Sequence, residues 1–133
     1  MKRISYKEQV INAASNAFQK AVEHYGEKNK EVIDSPRSWP GSWGTTYRKS
    51  GEVVVGGFRN IVDLGNLKDS QKINFVNPFL ATIEWDGKGE TPTPLVHEGY
   101  TTSTGKQVPA RPWTRYALLE SNIELVFKEN FTY

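Results

Sequence analysis

The sequence predicts an α+β fold: a small antiparallel β-sheet packed by a long N-terminal helix and a second, C-terminal helix, with a β-hairpin insertion. Three observations carry this. Apolar residues recur at helical spacing near both ends of the chain. Between them, 71–77 and 80–85 alternate apolar and polar residues with the two-residue period of half-buried strands. Two β-prone runs flank Ser50-Gly51, the pattern of a tight hairpin. With 133 residues the chain suits a single domain, 1–133, around one modest core.

The first helix is expected near residues 6–25. Ser5 and Glu8 form an S-x-x-E capping box, in which the Ser hydroxyl accepts from the Glu8 amide. Val10, Ala14, Ala17, Phe18, Ala21, Val22 and Tyr25 follow on one narrow face, opposite Glu8, Asn12, Asn16, Lys20 and Glu23. The small residues on that face permit close approach of another element. Gly26 is the expected stop.

From 32 to 44, Pro36, Pro40, Gly41 and Gly44 exclude a helix, and Trp39 and Trp43 sit among them. This reads as an ordered loop pinned by two indoles, which either cover the core edge or meet a neighbouring subunit. The hairpin follows, with Thr45–Lys49 and Glu52–Val55 as its arms. Asp63 to Ser70 is expected to form a rigid corner. Asp63 caps nearby amides, Gly65 tolerates positive φ, Leu67 points inward and Ser70 bonds a backbone group.

The strands of 71–77 and 80–85 alternate Ile73 and Phe75 with Lys72 and Asn74, and Ala81, Ile83 and Trp85 with Thr82 and Glu84; they are expected to pair antiparallel about the Asn77-Pro78 turn and form the middle of the sheet. Gly87, Gly89, Pro92 and Pro94 mark a loop, and Leu95 to Gly99 is a short turn. Residues 100–108 are read as a flexible loop because Tyr100 to Gln107 carries no apolar anchor. Pro109 and Pro112 then force an extended approach to the second helix. Its expected apolar face carries Trp113, Tyr116, Leu119, Ile123, Val126 and Phe127. Phe131-Thr132-Tyr133 forms an aromatic tail.

Composition narrows the function. Seventeen Lys and Arg against fifteen Asp and Glu give a formal charge of +2, with no run of five like charges to mark a dedicated nucleic-acid binder. There is no cysteine, which removes disulfides, thiolate metal sites and Cys nucleophiles. Mean hydropathy is −0.60, and no apolar stretch approaches the roughly 20 residues that cross a bilayer. The N-terminus lacks the apolar middle of a signal peptide, so no membrane association is expected. The aromatic supply is rich, with four Trp, six Tyr and six Phe, and aromatic residues are favoured at interface centres.

The chemistry-bearing residues do not assemble into a recognisable reaction centre. His97-Glu98 is an adjacent pair able to move a proton near neutrality, and the sequence nominates no nucleophile beside it. The expectation is a structural histidine bonded to backbone, with Glu98 paired to Arg111 or Arg115. Gly51 and Gly56-Gly57 lack the Lys-Ser/Thr of a phosphate loop. His24 and His97 have no metal-ligand spacing, and Asp63, Asp69 and Asp86 do not match a calcium loop. No enzyme activity, cofactor or metal is expected.

Taken together, Asp63-Leu64-Gly65-Asn66-Leu67-Lys68-Asp69-Ser70, His97-Glu98-Gly99 and Pro109-Ala110-Arg111-Pro112-Trp113, in this order between two helices, resemble the tail-completion (minor tail-component) family of long-tailed bacteriophages. The resemblance runs from about Ile4 to Phe127. Many members carry Thr at the place of Leu64 and an apolar residue at that of Gln71, and 32–58 is similar to an insertion of longer members.

The resemblance implies a long first helix lying across the sheet and a structural role in the virion, at the head–tail junction. Such a neck protein forms a ring, with six copies expected, and its partners are the head connector or adaptor and the tail terminator or tail-tube protein. DNA would at most pass through the ring, and the host cytoplasm would be the place of assembly. Asp63, Gly65, Leu67, Ser70, His97, Glu98, Gly99, Pro109, Ala110, Arg111, Pro112 and Trp113 then belong to the scaffold. Trp39, Trp43, Tyr100, Thr101, Thr102, Lys106, Phe131 and Tyr133 are the contact candidates. The alternatives are a minor structural protein elsewhere in the head or tail, and a small nucleic-acid-binding module using Arg48, Lys49, Arg59, Arg111 and Arg115 beside Tyr47 and Trp113.

Overall fold

The computed structural model of the chain describes residues 5–48, 51–61, 66–85, 97–101, 103–105 and 107–133. It is an α+β fold in which a long N-terminal helix packs with small antiparallel strand pairs and C-terminal helices. Helix α1 spans Tyr6–Asp34, and Ser5 caps it, its side chain accepting from the Glu8 N–H at 3.1 Å.

The expected stop at Gly26 is corrected: α1 continues for two more turns and ends where Ser35 turns extended ahead of Pro36. Gly26 instead gives room. A Cβ there would lie 2.7 Å from Ile73 Cδ1 and 3.0 Å from the Gln71 amide nitrogen, which donates to the Gly26 carbonyl at 3.1 Å. The missing side chain lets the helix and the following strand pair meet.

The strands are β1 (Arg37–Ser38), β2 (Thr45–Tyr47), β3 (Val53–Val55), β4 (Phe58–Arg59), β5 (Lys72–Asn77), β6 (Leu80–Glu84), β7 (Tyr100–Thr101) and β8 (Gln107–Val108). They form four antiparallel two-stranded ribbons, β1-β4, β2-β3, β5-β6 and β7-β8, so β5 and β6 stand as a ribbon of their own and not in the middle of a larger sheet. The paired strands stand where the sequence places them, Ile73 opposite Ile83. The hairpin forms from the expected arms, but its register is corrected: Tyr47 faces Val53 and the Arg48 N–H donates to Glu52 O, so the arms close at Arg48 and Glu52 rather than about a two-residue Ser50-Gly51 loop. Ala81, Ile83 and Trp85 are half-buried and their neighbours exposed, as the alternation requires. The segment expected to be a flexible loop is closed by backbone pairing of β7 with β8, which needs no apolar anchor.

A short helix α2 (Asn66–Asp69) forms within the expected corner, and α3 (Trp113–Ser121) and α4 (Ile123–Asn130) end the fold. The single C-terminal helix is thus broken at Asn122, which adopts left-handed backbone at φ 50. The break corrects the expected apolar stripe. Trp113, Ala117 and Ser121 are the buried face of α3, whereas Leu119 is 83% exposed. Past Asn122 the chain is re-aimed, so Ile123 and Phe127 line a groove against Phe18, Val22 and Tyr25 of α1.

The core joins Val32 and Ile33 of α1 to Trp39, Ile61, Leu67, Trp113 and Ala117. Its aromatic pairs are edge-on: Trp39 with Tyr116 at 5.1 Å and Trp85 with Trp113 at 5.6 Å between ring centres. Each such pair adds about 0.5–1.5 kcal/mol beyond area burial, so a few large rings offset a lean aliphatic supply.

Candidate functional site

The punctuated runs of the sequence meet around Trp113, which is 1% exposed. Leu67 belongs to the same core, and the Ser70 hydroxyl donates to the Leu67 carbonyl at 2.8 Å, closing the corner. Asp63 and Gly65 lie outside the described residues. The His97 ring stands edge-on to Trp113 at 4.9 Å. Its Nδ1 is 2.5 Å from Glu98 Oε1 and its Nε2 is 2.6 Å from Thr114 Oγ1. An Nδ1–H donating to the carboxylate leaves Nε2 to accept the Thr114 hydroxyl. The expected backbone partner of His97 is therefore a threonine side chain. Glu98 also faces Arg115 at 3.7 Å, one of the two arginines expected for it.

Two glycines fix how the segments interlock. Gly99, at φ +82, passes so close to the proline run that a Cβ would sit 2.8 Å from both Ala110 N and Val108 O. Gly41, at φ +103, leaves room for Pro109, whose Cβ would be 2.6 Å from an added methyl. The tryptophan loop, the His-Glu-Gly turn and the Pro-Ala-Arg-Pro run thus form one tightly fitted unit.

At its centre is Trp43. The indole N–H donates to the carbonyls of Trp39 and Pro40, at 3.2 and 3.1 Å. The Arg59 guanidinium lies 4.6 Å and that of Arg111 5.5 Å from its ring centre, both within cation–π range. Arg59 is 3% exposed and donates to Gly56 O at 2.8 Å, Thr46 Oγ1 at 2.7 Å and Gly44 O at 3.0 Å. Arg48 donates to Asn60 Oδ1 at 2.6 Å and Asn60 O at 2.8 Å, and faces Glu52 at 3.5 Å. Burial lowers the pKa of Arg59, with Arg48 adding to the effect. Burial lowers that of Arg111 to about 10, with Arg59 and Arg48 pushing the same way and Tyr100 opposing.

This arrangement corrects the basic-face expectation. Arg59 and Trp113 are inside, and Arg48 is turned inward with its side chain 7% exposed, because each guanidinium finds its acceptors in the loops it ties together. Lys49 lies outside the described residues, and of the remaining set Arg115, at 67% of its side chain, and Tyr47, at 80%, are broadly exposed.

The contact candidates divide. Trp39 is corrected to a core residue, 3% exposed, its N–H donating to Arg59 O at 2.8 Å. Trp43 is half-buried beneath the arginines. Tyr100 and Thr101 line an open depression of about 620 Å³ with Gly41, Ser42, Val108 and Pro109. Thr102 and Lys106 lie outside the described residues. Phe131 stacks on Phe127 at 5.7 Å, and Tyr133, 64% exposed, meets Tyr6 edge-on at 5.8 Å, so the tail folds back toward the start of α1.

Sequence reasoning missed Thr114, which carries no signal beside the prolines. It also missed the Arg37–Glu120 fork, at 3.0 and 3.1 Å, which latches the tryptophan loop to α3. The hydrogen-bonded Arg37 holds the Glu120 carboxyl below its usual range.

Comparison of the chain with protein-family models, with curated proteins and with solved structures finds no match. Among the described residues, no helix is long and apolar enough to cross a membrane.

Proposed function

We propose that the chain is a structural virion protein of the tail-completion kind, which assembles as a ring at the head–tail junction and joins the tail to the head connector. The motif order read from the sequence supports the place, and one observation carries the mode of action: apolar faces turned outward. On the β2-β3 ribbon the inward residue Val54 is buried, while Tyr47, Val53 and Val55 on the other face are 80, 54 and 72% exposed. Leu118 and Leu119 on α3 are a second exposed pair, at 51 and 83%, and Leu125 on α4 is 46% exposed. Apolar surface shown in sets rather than singly marks contact with other proteins. A closing ring needs two different patches that fit each other, and the two sets supply candidates.

Disrupting the gene in a virus that encodes the chain is expected to leave full heads beside finished, unattached tails in electron micrographs. Val55→Lys, on the exposed ribbon face, is expected to fold normally and fail to restore joining. Joined particles in the disrupted strain would end this reading. Defective heads or tails instead would favour a minor structural role elsewhere in the particle.

A second reading, from a different class, is favoured by the order Glu98–His97–Thr114. A carboxylate orients an imidazole whose other nitrogen meets a hydroxyl, the sequence of parts used in acyl transfer. Thr114 also lines an apolar cavity of about 390 Å³ with Phe18, Tyr25, Ile83 and Trp85. On this reading a short-chain ester is hydrolysed by the protein and by neither His97→Ala nor Thr114→Val; an equal rate in all three removes it. The contact reading is preferred because the same bonds clamp the turn onto α3, with Arg115 engaging Glu98 and Trp113 against the imidazole.

A further inference from the structure

We propose that Arg111, beside Trp43, is a receptor for a single carboxylate group. This end of the molecule holds four guanidiniums that are buried or half-buried, and among the described residues all but one have acceptors. Arg37 has the Glu120 carboxylate, Arg48 has Asn60 and Glu52, and Arg59 has the carbonyls of Gly44 and Gly56 with the Thr46 hydroxyl. Arg111 has the indole face of Trp43 and no hydrogen-bond or ion-pair partner for any of its guanidinium nitrogens among the described residues, whereas Arg37 lacks one at Nε alone.

A half-buried cation with no acceptor among the described residues weighs against the fold, more so with Arg59 and Arg48 acting on it electrostatically. A residue kept in that condition is poised to gain from an incoming anion.

The chemistry of the surroundings selects the anion. A guanidinium matches a planar carboxylate through two parallel N–H bonds. A phosphate would call for donors from several side chains, and those of Arg59 are spent on loop oxygens. Tyr100, which acts on Arg111 electrostatically, lines the open depression of about 620 Å³, and so does Glu98, whose negative charge disfavours a polyanion. A carboxylate of either source has this chemistry: a free small acid, or an Asp or Glu side chain of a second copy. The site stands whether or not the chain is a virion part.

The test is thermal unfolding in sodium acetate against sodium chloride at equal ionic strength. Acetate is expected to raise the Tm saturably, because a ligand that binds only the folded state stabilises it. Arg111→Met is expected to lose that response while melting no lower than the wild type in chloride, since it removes the unpaired cation. Arg111→Lys, which keeps the charge without the fork, is expected to respond weakly. The Arg111 Nε–H resonance of the unaltered protein should shift with acetate over the same range.

An acetate effect equal to chloride overturns the proposal, as does an unmoved Nε–H. An Arg111→Met protein melting several degrees lower, or unable to fold, also overturns it, because the side chain would then be a structural strut. Sedimentation separates the sources. Self-association dissolved by acetate identifies the second copy, whereas acetate binding by a monomer identifies a free acid, and either supports the site.

Discussion

Trp113→Ala is expected to destabilise the fold by about 3–5 kcal/mol, the usual range for deleting a large buried ring. The indole is 1% exposed and touches, edge-on, Trp85 at 5.6 Å and His97 at 4.9 Å. Its loss removes transfer free energy and opens a cavity, because its neighbours come from separate runs of the chain and cannot all collapse inward. The indole N–H is buried without an acceptor, so its removal returns only a small part of that loss. Set against the roughly 5–15 kcal/mol of a whole domain, the variant is left barely folded. Denaturant midpoints and the near-ultraviolet aromatic signal measure it. Leu119→Ala in the same helix is the control, with little expected effect because Leu119 is 83% exposed. A Trp113→Ala loss as small as the control's would mean the core is not organised around this ring.

Gly99→Ala is expected to cost about 3 kcal/mol or more, from two separable causes. Backbone at φ +82 is left-handed, which costs an L-residue on the order of 1–3 kcal/mol. The added methyl would also meet Ala110 N and Val108 O at 2.8 Å, and Pro109 C at 3.1 Å, all backbone atoms that cannot swing aside. Gly51→Ala isolates the first cause: its φ is +93, but nothing lies within 4 Å of the added Cβ. The Gly51 variant should therefore lose only the conformational part, about 1–2 kcal/mol. Equal losses at the two positions would refute the close fit between the His-Glu-Gly turn and the proline run.

The parts of the fold legible in the sequence are those set by neighbours along the chain. The Ser5 cap, the Thr45–Val55 hairpin, the Asn77-Pro78 turn and the Leu67–Ser70 corner all follow from residue type and spacing, and all are present. Gly26 shows the limit. A glycine inside a helical pattern signals either a stop or a close approach, and only Ile73, far along the chain, decides which. Asn122 is similar: its left-handed backbone is permitted by the residue type, while breaking the apolar stripe there turns α4 toward α1.

The candidate site was legible as a set of runs but not as a geometry. Only the nucleic-acid alternative places Arg48, Arg59 and Arg111 on one basic face, because charge predicts exposure on average. Their burial rests on Trp43 and on carbonyls whose positions depend on two ribbons and a loop meeting. The same holds for His97 and Thr114, 17 residues apart, and for Arg37 and Glu120, 83 apart.

By itself the sequence determined the α+β class, the places where the chain must turn, and the residues able to sit at positive φ, because backbone dihedrals and side-chain period are properties of short stretches. The tertiary structure alone decided which cations are neutralised, which one is left without an acceptor among the described residues, and which apolar faces remain open to water. Those depend on which distant groups arrive within a few ångströms of each other, and no local preference encodes that distance.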